Sequence, residues 1–130
     1  MIVDASALVA ILREEPGFDV LRRKLVYADS PAHMVSAGFL EAAIVVDGKR
    51  DARASRKLDD IVVELEIEVV PFTAAHAVLA REAYRDFGKG SGHPAKLNFG
   101  DCMAYALARS ERKPLLYVGN DFAHTDIEAA

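Results

Sequence analysis

The chain has 130 residues, 52% hydrophobic and 28% charged, with a formal net charge of −4. That size and balance describe one folded domain, residues 1–130, with a proper core, and they exclude a disordered chain. A lone cysteine, Cys102, rules out an internal disulfide and fits a reducing cytoplasm; no apolar run reaches the length of a membrane span or of a secretory leader.

Met1 to Val3 reads as a buried strand, with Ser6 as the N-cap of a helix over Ala7 to Leu12. Pro16-Gly17 punctuates, after which Phe18, Leu21 and Leu25 recur at helical spacing. Ala28 to Pro31 turns the chain into a short strand around Met34 to Ser36. Gly38 to Val46 follows as a helix ended by Asp47-Gly48. Ala54, Leu58, Ile61, Val62 and Leu65 make the apolar stripe of a further helix. Ile67, Val69 and Val70 alternate with Glu66 and Glu68 as a strand does, and Pro71 stops the run. Thr73 caps a helix carrying Ala77, Ala80, Ala83, Tyr84 and Phe87.

Gly88 to Pro94 is the most flexible stretch, and it lacks the G-x-x-x-x-G-K-[ST] order of a P-loop. Asn98 caps the helix that carries Asp101 and ends near Ser110; Leu115 to Val118 is the last strand. Strands alternating with helices predict an α/β fold whose mostly parallel sheet is covered on both faces.

Four carboxylates fall where a strand gives way to a turn or helix: Asp4, Glu41, Asp101 and Asp121. In a parallel sheet the carboxyl ends of the strands share one edge, and ligands bind there. Clustered carboxylates resist joint ionisation unless a cation compensates. His33, His76, His93 and His124 have no mutual metal spacing, so the site is all oxygen, which suits Mg²⁺ or Mn²⁺. The pattern points to a metal-dependent enzyme acting on phosphate esters. Removing four carboxylates from a net −4 leaves the rest of the chain neutral, so net charge does not exclude RNA. Each acid also has a structural reading. Asp4 and Asp121 suit turns, Asp101 suits a helix N-terminus, and Glu41 suits a solvated helix face.

Ile2-Val3-Asp4-Ala5-Ser6-Ala7-Leu8, Leu40-Glu41, Leu97-Asn98-Phe99-Gly100-Asp101-Cys102 and Gly119-Asn120-Asp121-Phe122 together resemble the PIN-domain ribonucleases. More narrowly, the chain is similar to the VapC toxins of bacterial toxin–antitoxin pairs, over nearly its whole length. The resemblance implies a three-layer α/β/α sandwich and a Mg²⁺-dependent endoribonuclease that cuts RNA with metal-activated water. It also implies a cognate VapB-type antitoxin and a homodimer. On it Asp4 and Asp101 bind metal directly, Glu41 directly or through water, and Asp121 or Asp126 is the fourth acid. Ser6 matches a hydroxyl that orients the first acid or a bound water, and Asn98 stands beside Asp101 in a supporting place.

Arg85, Lys89 and Lys96 flank the glycine-rich stretch and are candidates for phosphate contacts with single-stranded or looped RNA. Apolar faces on Ala7–Leu12, Phe18–Val26 and Ala54–Leu65 offer a groove for an amphipathic antitoxin segment. An aspartyl phosphatase wants a second acid two residues after Asp4, where Ser6 stands. A receiver domain wants an Asp after the middle strand, where Val69-Val70-Pro71 has none. The remaining alternative is a PIN-like module that binds RNA or protein without cutting.

Overall fold

β1 (Ile2–Val3) runs directly into α1 (Ala5–Arg13) in the computed structural model, which describes residues 1–130. Asp4, in extended backbone, is the N-cap: its carboxylate accepts from the Ser6 N–H. The helix therefore starts earlier than a Ser6 cap would allow, because the acid and the hydroxyl are both good caps and the acid comes first. Glu14, in the left-handed region, ends α1, and Gly17 at φ +90° admits α2 (Phe18–Val26).

β2 (Ala32–Val35) passes without a turn into α3 (Ser36–Asp47), so Ser36 belongs to the helix rather than the strand. Its hydroxyl accepts from the Phe72 N–H at 3.1 Å. α4 (Ala52–Glu64) is capped by Asp51 and leads to β3 (Ile67–Val70). α5 (Ala74–Phe87) and α6 (Phe99–Glu111) begin with reciprocal capping boxes, Thr73 with His76 and Asn98 with Asp101. β4 (Leu115–Leu116) is shorter than expected, because the Val118 N–H leaves the sheet to donate to Ser6 Oγ at 3.0 Å. A 3₁₀ turn, Asp121–His124, follows.

The sheet is wholly parallel in the order β3-β2-β1-β4. Ile2 pairs with His33 on one side and Leu115 on the other. Successive strand residues face opposite cores, as strand geometry requires. Val3, Met34 and Leu116 join the core with Leu8 and Ile11 of α1 and Leu58 and Ile61 of α4. Ile2, Val35 and Leu115 join the core with Ala83 of α5 and Leu107 of α6. These are the three layers of an α/β/α sandwich. The chain steps outward from β1 to β3 and then crosses back to lay β4 against β1. Strand order reverses between β1 and β4, and a parallel sheet opens a binding crevice at such a point.

Two expectations need correction. The apolar faces of Ala7–Leu12 and Ala54–Leu65 are not free for a partner: Leu8, Ile11, Leu12, Leu58, Ile61 and Leu65 are buried in the core. The stretch from Gly88 is tied down rather than loose. Lys89 N–H donates to Leu97 O and Leu97 N–H to Phe87 O, both at 2.9 Å. His93 packs edge-on against Phe87 with centroids 5.0 Å apart. A Cβ at Gly88 would lie 2.2 Å from Tyr84 O, so only glycine allows this exit from α5. No helix is long and apolar enough to cross a membrane.

Candidate active site

Asp4 follows β1 immediately and is only 5% exposed. Its Oδ2 accepts from the Ser6 N–H at 2.9 Å and the Ser6 hydroxyl at 2.5 Å. Ser6 Oγ in turn accepts from Val118 N–H, so one hydroxyl ties the start of α1 to the segment leaving β4. Asp101, 9% exposed, occupies the first turn of α6. Its Oδ2 accepts from Asn98 N–H at 2.7 Å, while Asn98 Oδ1 accepts from Asp101 N–H at 2.9 Å. The structural readings of Asp4 and Asp101 thus hold: both carboxylates take part in helix capping and are oriented by doing so.

Glu41, half-buried on α3, reaches across to α6. A Cβ at Gly100 would lie 2.1 Å from Glu41 Oε2, so the absence of a side chain there is what admits the carboxylate. Asp121, exposed, opens the 3₁₀ turn beyond β4. Asp126 is engaged elsewhere: it accepts from the Tyr105 hydroxyl at 2.7 Å and pairs with Arg109. Of the two, Asp121 is the acid whose charge acts on the cluster.

Burial, and after it the charges of neighbouring carboxylates, raises the proton affinity of Asp4, Glu41 and Asp101. Burial pushes Asp4 up from its ordinary value, Ser6 opposes this, and the charge of Asp121 adds to the rise. Glu41 is raised by burial and then by Asp4. Asp101 is pushed up to about 6, chiefly by burial, with Asn98 opposing and Asp4, Asp121 and Glu41 repelling its charge. None of the nine ion pairs in the protein involves any of these four acids. A neighbourhood of four carboxylates without a basic partner fits a hard divalent cation. As the side chains lie, no three of them enclose an ion; Asp4 and Asp101 each commit Oδ2 to a cap. Cys102 is buried and its thiol is pushed up to about 11, so it is a core residue and not a nucleophile.

Asp101 gives the metal-free protein a pH signature. The folded chain holds this proton more tightly than the unfolded chain, whose Asp has the ordinary 3.8. Stability from this group is complete below about pH 4 and is lost as pH rises through about 6. Asp101→Asn keeps an acceptor for Asn98 N–H and cannot ionise. Its melting temperature in EDTA therefore climbs relative to wild type between pH 5 and pH 7.5; a constant difference would contradict the assignment.

Two grooves flank the start of α6. One, of about 590 Å³, lies between α5 and the start of α6 and is lined by Arg81, Tyr84, Lys89 and Phe99. The other, of about 500 Å³, lies between α3 and α6 and includes Leu40, Glu41, Ile44 and Phe99. Of the expected phosphate contacts, Lys89 alone lines the groove beside α6. Arg85 is paired with Asp86 and lines a neighbouring pocket that shares Arg81 and Tyr84 with this groove, and Lys96 is exposed in the loop at φ +53°. Sequence reasoning missed Arg81, Gly100 and Phe99. The last two were inside the segment that carried the resemblance, but nothing in a sequence tells an exposed phenylalanine from a buried one.

The PIN domain family matches residues 1–128. Ribonuclease VapC28 of Mycobacterium tuberculosis is 52% identical over 130 residues, spanning all of this chain and 97% of that protein. Ribonuclease VapC42 of the same species is 42% identical over 130 residues, covering 98% of its length. A crystal structure of Mycobacterium tuberculosis VapC20, described as a sarcin-ricin loop cleaving toxin, superposes with a TM-score of 0.76 at 15% identity. It covers 99% of this chain and 97% of that one. At that identity the likeness speaks for the fold, while the close relatives speak for the family. The chain belongs to the PIN domain family, in its branch of VapC ribonucleases.

Proposed function

We propose that the chain is the toxin of a type II toxin–antitoxin pair, a Mg²⁺-dependent endoribonuclease with its centre at Asp4, Glu41, Asp101 and Asp121. The observation that carries this is four carboxylates at one sheet edge with no basic partner, of which Asp4, Glu41 and Asp101 are held above their ordinary pKa by burial and then by the charges of their neighbours. Mg²⁺, with Mn²⁺ as a substitute, supplies water activation and neutralises charge on the phosphoryl oxygens.

The chain's own residues set the geometry. Asp4 is aimed by Ser6, and the same hydroxyl holds the strand exit that carries Asp121. Asp101 is aimed by Asn98 at the positive end of α6. Glu41 enters from the far side over Gly100. The acids act as a scaffold for the ion rather than as nucleophiles. The test is cleavage of an unpaired RNA by the purified chain with Mg²⁺, EDTA, and EDTA followed by Mn²⁺. Cutting in the first and third conditions alone supports the reading. RNA bound but uncut in excess Mg²⁺ selects the binding module.

The partners follow from surfaces the core leaves uncovered. A VapB-type antitoxin has Val20, Val26 and Tyr27 of the α2 region and Val63 of α4, all exposed, as its apolar strip. The two helices are joined there by the Arg22–Glu64 pair. A homodimer forms through α3, where Leu40, Ile44 and Val45 share one outward face and Ile44 is 62% exposed. Ile44→Lys then halves the mass measured by light scattering, whereas a mutant that keeps the wild-type mass would sink this interface. The cytoplasm is the compartment that keeps Cys102 reduced.

A further inference from the structure

Phe99 is 80% exposed although it opens α6 and directly precedes Gly100-Asp101. A ring that open contributes little to the core. Tyr84, 50% exposed, lines the same groove, and its hydroxyl donates to Lys89 O at 3.1 Å, which fixes the ring. Arg81 and Lys89 line the groove and take part in none of the ion pairs that occupy Arg22, Lys57, Arg85 and Arg109. Phe72, Ala80 and Met103 complete the apolar floor of this groove, and Asn98 and Phe99, just ahead of Asp101, form the wall it shares with the groove that holds Glu41.

We infer that the groove between α5 and the start of α6 is a track for single-stranded RNA: nucleobases stack on Phe99 and Tyr84 while Arg81 and Lys89 take backbone phosphates. The inference rests on the ribonuclease reading above and names how that site receives its substrate. Rings with adjacent cations are the lining an unstacked strand needs. A duplex, its bases already stacked on one another, cannot use the rings. An apolar peptide would cover the rings but leave both cations unanswered, which favours the polyanion.

The test uses the full chain and a short labelled RNA, unpaired or in duplex, with binding read by anisotropy in an Asp101→Asn background that does not cut. Phe99→Ala weakens binding of the unpaired strand about tenfold, Phe99→Tyr restores it, and duplex binding moves with neither. Arg81→Gln with Lys89→Gln lowers the salt dependence by about two phosphate contacts. In the cutting protein, Phe99→Ala raises KM about tenfold and leaves kcat within about threefold. Unchanged affinity in Phe99→Ala overturns the track. So does a dimer that becomes monomeric, or an antitoxin that is no longer captured, while RNA affinity holds. Those results assign the ring to a second copy or to the protein partner. If wild type cuts no RNA in Mg²⁺ yet Phe99→Ala weakens binding, the ribonuclease reading fails and the track stands. If wild type cuts and Phe99→Ala binds normally, the track alone fails.

Discussion

Asp4→Asn removes RNA cleavage by about a thousandfold or more while the protein stays folded, and Asp101→Asn does the same. The fold survives because asparagine caps helices as well as aspartate does and still accepts from the Ser6 N–H. Stability in EDTA rises at neutral pH, since a buried carboxylate with no cationic partner is replaced by a neutral amide. Activity and stability thus move in opposite directions, which misfolding cannot imitate. Initial cleavage rates and melting temperatures on the same preparations check both halves. Metal-dependent cutting retained by either pure variant would remove that acid from the site.

Gly100→Ala is expected to cost tenfold to a hundredfold in cleavage with no loss of stability. The added methyl would meet the Glu41 carboxylate at 2.1 Å, and a flexible side-chain end yields before backbone does. Glu41 therefore swings away from Asp4 and Asp101, a displacement of the size that costs catalysis about 10²-fold. The helix itself gains, because alanine is better than glycine within a helix by about 1 kcal/mol. Cleavage rate against Mg²⁺ concentration measures the loss. Wild-type rates in a folded Gly100→Ala protein would mean that Glu41 does no work where it lies.

Much of this site was legible before the fold was known, because a parallel sheet leaves its acids a readable address: the residue just after a strand. Asp4 after Ile2-Val3 follows that rule, and Asn98 was legible as the cap of the helix that carries Asp101, whereas Asp121 stands beyond the end of β4 in the 3₁₀ turn. Glu41 was harder. It lies within α3, and only the approach of α6 at Gly100 shows why it belongs with the others. Choosing Asp121 over Asp126 required the Tyr105 and Arg109 contacts that occupy Asp126.

The misreadings have physical causes as well. Ser6 looked like the cap of α1 because local preference ranks it beside Asp4; the first residue able to cap did so. The glycines from Gly88 suggested looseness, yet Ala95 and Leu97 bury themselves and anchor the turn. An amphipathic stripe shows that a helix buries one face, but not whether against the core or a partner. The stripe on Ala54–Leu65 belongs to the core, while exposed Leu40 and Ile44 lie on a helix whose apolar residues are spread around it.

The most direct test of the account is a crystal of the isolated protein soaked in Mn²⁺ and read by anomalous difference density. Density among Asp4, Glu41, Asp101 and Asp121, with the carboxylates turned toward it, is the predicted result. No density there at high Mn²⁺, with Asp4 and Asp101 still on their caps and Glu41 and Asp121 turned away, would contradict the metal centre and leave a domain that binds without cutting.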